Sequence, residues 1–191
     1  MKLQLNLEIP TSLNQLYINE HKYNPKTKRY EPTNTRILSE KGQASKRRLQ
    51  KYAKKQMVGQ DWDYDYTLNN YIYMDVVIYF NKKGRDDNNI YKLLCDSLEK
   101  ICYDNDSRVL IRTQRIYIDK DNPRIEVTLL PVEFVGIFDN QVQFEVFEDN
   151  CKFCSYYRSG SCSVLKGALE NRIQEEIDKN LICHKFKKKK T

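Results

Sequence analysis

Residues 71–101 read YIYMDVVIYFNKKGRDDNNIYKLLCDSLEKI, and two hydrophobic periods meet inside them. In the first part, Ile72, Met74, Val76, Ile78 and Phe80 alternate with Tyr71, Tyr73, Asp75, Val77 and Tyr79. That two-residue period is the mark of a strand with one apolar face. In the last part, Leu93, Leu94, Ser97, Leu98 and Ile101 fall at core spacing for a helix over about 89–101. Between strand and helix lies a loop crowded with Asp86, Asp87, Asn88 and Asn89. A second acidic group, Asp104 and Asp106, follows the helix.

These side chains carry hard oxygen ligands, which suit Mg²⁺ or Mn²⁺. Asp86 lies just before the helix, Lys92 and Asp96 are four apart and share a helix face, and Asn88 or Asn89 sits one turn before Lys92. A helix of about 13 residues is roughly 20 Å long. Residues 104–106 must therefore fold back, or come from a second subunit, to share an ion with Asp86. Such an ion lowers the pKa of a bound water and neutralises phosphate oxygens. Lys92 is placed to stabilise charge growing on the phosphorane or the leaving oxygen. The same residues also suit plain structure: Asp87 or Asn88 as a helix cap, and Lys92–Asp96 as an ordinary ion pair.

Outward from this stretch, Leu3, Leu5, Leu7 and Ile9 alternate with polar residues as a strand closed by Pro10. A basic loop is expected over 11–38. Ser39 then reads as the N-cap of a helix reaching about residue 56. Residues 109–118 and 124–130 read as a hairpin around Asp119-Lys120-Asp121-Asn122-Pro123. The fold class is α+β: a βαβαββ mixed sheet packed by two helices. A further hairpin is expected from 134–138 and 141–147, turning at Asp139-Asn140. A helix over about 163–178 and a frayed basic end at 187–190 follow. The expected organisation is a core over 1–131, a connector over 132–148 and a cysteine-bearing tail over 149–191.

The chain has 191 residues, a net charge of +7 and a pI near 9.0. Residues 22–55 alone carry +10, leaving −3 for the rest. A basic lobe beside an acidic, metal-type cluster fits an enzyme of nucleic acids. Lys22, Lys26, Lys28, Arg29 and Arg36, interleaved with Tyr17, Tyr23 and Tyr30, are candidates for phosphate contact and base stacking; Arg85 joins them from the acidic loop. Lys46, Arg47, Lys54 and Lys55 continue the stripe, or form a solvated helix face. No run of 18 apolar residues and no signal peptide is present, which predicts a cytoplasmic protein with no membrane partner.

In that compartment the six cysteines are expected as thiols or metal ligands rather than disulfides. Cys151, Cys154, Cys162 and Cys183 form C-x₂-C-x₇-C-x₂₀-C, whose first pair has the spacing of a structural Zn²⁺ site. His184 is an alternative to Cys183, and an iron–sulfur cluster would use the same four thiolates. Four protein ligands leave no open position, so zinc here would be structural. Cys95 and Cys102 are expected as buried thiols.

Arg85-Asp86-x-Asn88-Asn89-x-x-Lys92-x-x-x-Asp96-x-Leu98, then Asn105-Asp106-Ser107-Arg108-Val109, resembles the RusA-type Holliday-junction resolvases of phages and prophages. Leu7-Glu8-Ile9-Pro10-Thr11-Ser12-Leu13-Asn14 resembles that family's opening strand and turn, and Ser39-Glu40-Lys41-Gly42-Gln43-Ala44 its helix start. The resemblance covers about residues 3–130 and leaves the cysteine tail outside. It implies a homodimer in a bacterial or phage-infected cell that binds four-way DNA junctions, needs Mg²⁺ or Mn²⁺, and cuts paired strands to leave 5′-phosphates. It also implies that Asp86, Asp106 and Lys92 are catalytic, that Asp86, Asn88 and Asp106 hold the ion, and that Asn89 and Asp96 support them. Asn88 and Asn105 stand where the family has aspartates. An amide can ligate an ion but brings no charge and takes no proton. Three options follow: a weaker metal site, a site rescued by Asp87 or Asp104, or a binder that does not cut.

Overall fold

Alternation along the sequence becomes two-sidedness in the sheet. In the computed structural model, which describes residues 1–170, 172 and 175–189, the chain divides into two units, Met1–Leu130 and Pro131–Thr191. The first is α+β. Its four-stranded sheet runs in the order β1 (Leu3–Leu7), β6 (Arg124–Pro131), β4 (Ile72–Phe80) and β5 (Val109–Ile118). Strand β1 pairs antiparallel with β6, setting Leu3, Leu5 and Leu7 beside Leu129, Val127 and Ile125. Strands β4 and β5 run parallel from Ile72↔Val109 to Phe80↔Ile118, so the sheet is mixed.

Parallel neighbours need a crossover, and α3 (Asn88–Leu98) supplies it. Its apolar face, Ile90, Leu93, Leu94 and Leu98, is buried with Met74, Val76 and Ile78 of β4 in one core. The longer α2 (Glu40–Met57) packs beside α3. Ser39 caps α2 as expected, its hydroxyl accepting the Gly42 N–H at 3.1 Å. Gly42 is required by close approach: a Cβ there would lie 2.9 Å from Leu16 Cδ1.

Residues 109–118 and 124–130 do not form a hairpin; β4 lies between them. Asp119 still makes the expected turn, accepting the N–H groups of Asp121 and Asn122. The turn carries the chain past the end of β4, where the Asp119 N–H donates to the Phe80 carbonyl. Burial explains the order. Strand β6 alternates buried Ile125, Val127 and Leu129 as an inner strand must, whereas β5 is largely exposed and takes the edge.

The expected loop over 11–38 is structured. It holds α1 (Leu13–Leu16) and a two-stranded ribbon of β2 (Tyr17–Asn24) and β3 (Arg29–Leu38). Backbone pairing and polar cross-links hold this ribbon, including Asn24 Nδ2 to Glu31 at 2.8 Å and Thr33 Oγ1 to Glu20 at 3.0 Å. Tyr23 and Tyr30 meet edge-to-face near its tip at 5.5 Å.

In the second unit, the expected strand over 141–147 is instead α4 (Gln141–Cys151). Asp139-Asn140 is a helix entry, not a hairpin turn. Asn140 Oδ1 accepts the Gln143 N–H at 3.0 Å, and Gln143 Oε1 accepts the Asp139 N–H at 2.6 Å, a reciprocal cap. The later helix, α5, is confined to Ser163–Leu169. Of the rest of its expected span, residues 171, 173 and 174 lie outside the described residues, and 175 and 176 form a turn. The basic end is tied rather than frayed as far as Lys189. Lys187 O accepts the Ser155 N–H, and the Lys189 N–H donates to Phe153 O; Lys190 lies outside the described residues.

Candidate active site

Asn89, Lys92 and Asp96 fall at i, i+3 and i+7 of α3, so they share one stripe on the side opposite its apolar face. Asp86 heads this stripe. Its Oδ1 accepts the Asn88 N–H at 2.9 Å, and its Oδ2 accepts from Asn89 Nδ2 at 3.3 Å. Asp87 occupies the cap position of α3 but makes no side-chain cap bond. Its carboxylate turns to β5, accepting from Thr113 Oγ1 at 2.6 Å and Tyr91 OH at 3.3 Å.

The far end of the helix decides whether the second acidic group can take part. The helix ends at Leu98, short of the expected Ile101. Lys100 takes a left-handed φ of 61°, and its N–H donates to Tyr103 O. Tyr103 is fully buried, and its hydroxyl donates to the Cys95 carbonyl at 3.0 Å. This latch reverses the chain within one subunit and brings Asp106 back along α3. Asp106 Oδ2 lies 3.9 Å from Lys92 Nζ, which also bonds Asp96 Oδ1 at 2.7 Å. Asp104 does not join them: it pairs with Lys100 at 2.5 Å and approaches Arg108 at 4.0 Å.

The hydrogen bond to Asp96, with the Asp96 and Asp106 charges behind it, raises the Lys92 pKa above its ordinary value; partial burial opposes this. Lys92 is therefore a fixed cation rather than a base. Tyr17, at the root of the ribbon, lies within electrostatic range of Lys92. The Arg36 guanidinium stands 5.5 Å over the Tyr17 ring. The ribbon's basic residues Lys22, Lys26, Lys28 and Arg29 are all exposed farther out. Lys22 also pairs with Glu20 at 3.3 Å. Arg85 is exposed, 5.9 Å over the Phe80 ring.

Sequence reading missed Tyr103, whose hydroxyl latches the turn that returns Asp106, and Tyr91 and Thr113, which hold Asp87 on the β5 side of α3. Tyr91 is four residues from Asp87 on one helix, a spacing that signals contact. Thr113 arrives only through the parallel β4–β5 pairing, and Tyr103 only through the chain reversal.

Among the described residues, no group of three or more His, Cys, Asp or Glu side chains is arranged to hold a metal ion. The α3 donor set is of another kind, with the carboxylates Asp86 and Asp106 and the amide Asn88. One or two carboxylates completed by substrate phosphate and water is an ordinary set for Mg²⁺. Chemically, the residues fit a hard divalent ion.

Cys151 ends α4, Cys154 lies in the turn after it, Cys162 caps α5 and Cys183 forms an isolated bridge with Ile177. All six cysteines are free. Burial pushes the Cys95 and Cys102 thiols up to about 11 and about 12, so both stay neutral in the core. Among the described residues, no helix is long and apolar enough to cross a membrane.

A family model described as Endodeoxyribonuclease RusA matches residues 20–130. No curated protein matches the chain. The matched span holds most of the ribbon, from Glu20 onward, with α2, β4, the whole α3 stripe, Asp106, β5 and nearly all of β6. It starts after residues 7–14 and ends before Cys151, Cys154, Cys162 and Cys183. Covering more than half of the 191 residues, it shows that the chain belongs to the RusA endodeoxyribonuclease family.

Proposed function

We propose that this chain is a metal-dependent, structure-selective endonuclease that cleaves four-way DNA junctions as a homodimer in the cytoplasm. The observation that carries the reading is the placement of Lys92 between Asp96 and Asp106, on the same α3 stripe that Asp86 heads. Two carboxylates flanking a permanent cation on an exposed helix face suit phosphodiester hydrolysis better than they suit packing. Asp86, Asn88 and Asp106 would hold Mg²⁺ or Mn²⁺, which when bound supplies charge neutralisation and an activated water.

The chain's own residues do the rest. Asp96 fixes the Lys92 ammonium, leaving its remaining N–H donors free for a phosphate oxygen. Asn89 orients Asp86 through its side-chain amide. Lys26, Lys28 and Arg29 would lead phosphates along the ribbon toward Arg36 and Tyr17, the latter within electrostatic range of Lys92. A two-fold dimer would set two such sites against the paired strands of a junction.

A second reading rests on Asn88. With an amide in place of a third carboxylate, the protein would bind branched DNA without cutting it. A junction cleavage assay with and without Mg²⁺, wild type against Asn88→Asp, separates the two. Mg²⁺-dependent nicking by the wild type is expected. An intact junction at saturating protein and metal, with activity gained by Asn88→Asp, would establish the second reading instead.

A further inference from the structure

We propose that Cys151, Cys154, Cys162 and Cys183 bind one structural zinc ion that ties the second unit together. All four line one cavity of about 370 Å³, although they come from four separate places in the chain. Two of the four sulfurs, those of Cys154 and Cys162, also accept backbone N–H groups. Cys154 Sγ accepts the Lys187 N–H at 3.4 Å. Cys162 Sγ accepts the Leu165 N–H at 3.4 Å. Backbone N–H groups aimed at sulfur favour the charged ligand and orient it, as outer partners do around metal sites.

Packing gives the ion a job. The first unit is built on a core cluster of 21 buried residues, but among the described residues the second has a core cluster of seven, two helices and a set of isolated bridges. A unit of that size needs a staple beyond its core. One ion held by these four thiols would join the end of α4, the turn after it, the start of α5 and the segment around Cys183. The thiols are free of one another, and no group of three among the described residues is yet arranged to hold an ion. Binding would draw them inward and release their protons to solvent, as metal binding coupled to folding does.

His184 is the competing fourth ligand by sequence. Its Nε2 instead faces Asp178 Oδ2 at 3.5 Å, and it does not line the cavity. The fourth ligand is therefore Cys183.

Metal analysis of the full-length protein, produced with zinc and iron both supplied, tests the site without reference to DNA cleavage. About one zinc per chain is expected. Replacement by Co²⁺ should give the visible bands of a tetrahedral thiolate site. Cys162→Ser and Cys183→Ser should lose the bound zinc, and His184→Ala should keep it. Wild-type protein with no tightly bound metal and four freely titrating thiols would overturn the proposal. So would iron with inorganic sulfide in place of zinc. Both readings use wild-type protein, so they decide the matter even where a cysteine variant fails to fold.

Discussion

The two sides of α3 are built from the same residue types and are put to opposite uses. Asp86 and Asp87 are adjacent. Asp86 keeps an exposed carboxylate on the Lys92 side, where it accepts from the Asn88 N–H and the Asn89 amide. Asp87 turns to the β5 side, where Thr113 and Tyr91 share one of its oxygens. The split repeats beyond the helix. Asp106 reaches Lys92, while Asp104 is taken up by Lys100, with Arg108 at the limit of reach. A carboxylate's role is therefore set by which partners saturate it, not by its distance along the chain. The pairing also bears on Asn88. Asp87 and Asp104 have the charge that Asn88 lacks, but each is held in place by other partners.

The largest effects are expected where the carboxylates remain open. Asp106→Asn and Asp86→Asn should each cut junction cleavage on the order of 10³-fold while leaving junction binding intact. Single-turnover kinetics beside a gel-shift assay measure both. Equal loss of binding and cleavage would show that these residues hold DNA rather than act on it.

Lys92→Ala should come next, at about 10²-fold. The pH dependence follows from its raised pKa. A group whose folded pKa lies above its unfolded value contributes fully below that unfolded value, here 10.5, and loses the contribution as pH rises through the folded one. Lys92 thus stays charged through neutral and mildly alkaline pH. Any loss of cleavage between pH 7 and about 10 belongs to another group. Asp96→Asn should lower that alkaline limit, since the Asp96 bond is the main cause of the shift.

On the β5 side the expectation reverses. Asp87→Asn removes the acceptor charge from two hydroxyl bonds at a half-buried position. It should cost about 1 kcal/mol of stability and change cleavage by no more than about threefold, well below the Lys92→Ala loss. Denaturant unfolding beside the cleavage assay would show it. A fall in cleavage with no change in stability would move Asp87 into the site.

How much of this was legible depended on what each residue faces. Strand β4 and helix α3 were readable because each buries one face, so their periods are written in Ile72 to Phe80 and in Leu93, Leu94 and Leu98. The ribbon of β2 and β3 buries neither face and left no period, so it read as a loop. Helix α4 was misread because Val142, Phe144 and Val146 alternate like a strand, although Val142 and Val146 are exposed and the buried residues are Phe147 and Cys151. In the site, the Lys92–Asp96 pair follows from spacing alone. The return of Asp106 does not, because it depends on the left-handed Lys100 and on the buried hydroxyl of Tyr103.

Asp104 provides the finest test of the contrast, because it stands two residues from Asp106 and carries the same charge. Its partner Lys100 is largely exposed, and ion pairs of that kind contribute little to stability. Its backbone N–H donates to Thr67 Oγ1 at 3.0 Å, a bond that a change of side chain leaves in place. Asp104→Asn should therefore shift the melting temperature by no more than about 2 °C. Cleavage should stay within about twofold of wild type, against the order of 10³ for Asp106→Asn. Both are read from one melting curve and one time course on the same preparation. If Asp104→Asn abolished cleavage and kept the fold, the Lys100 pair would have to open on binding DNA. The boundary between the two sides of α3 would then run beyond Asp104, not between Asp104 and Asp106.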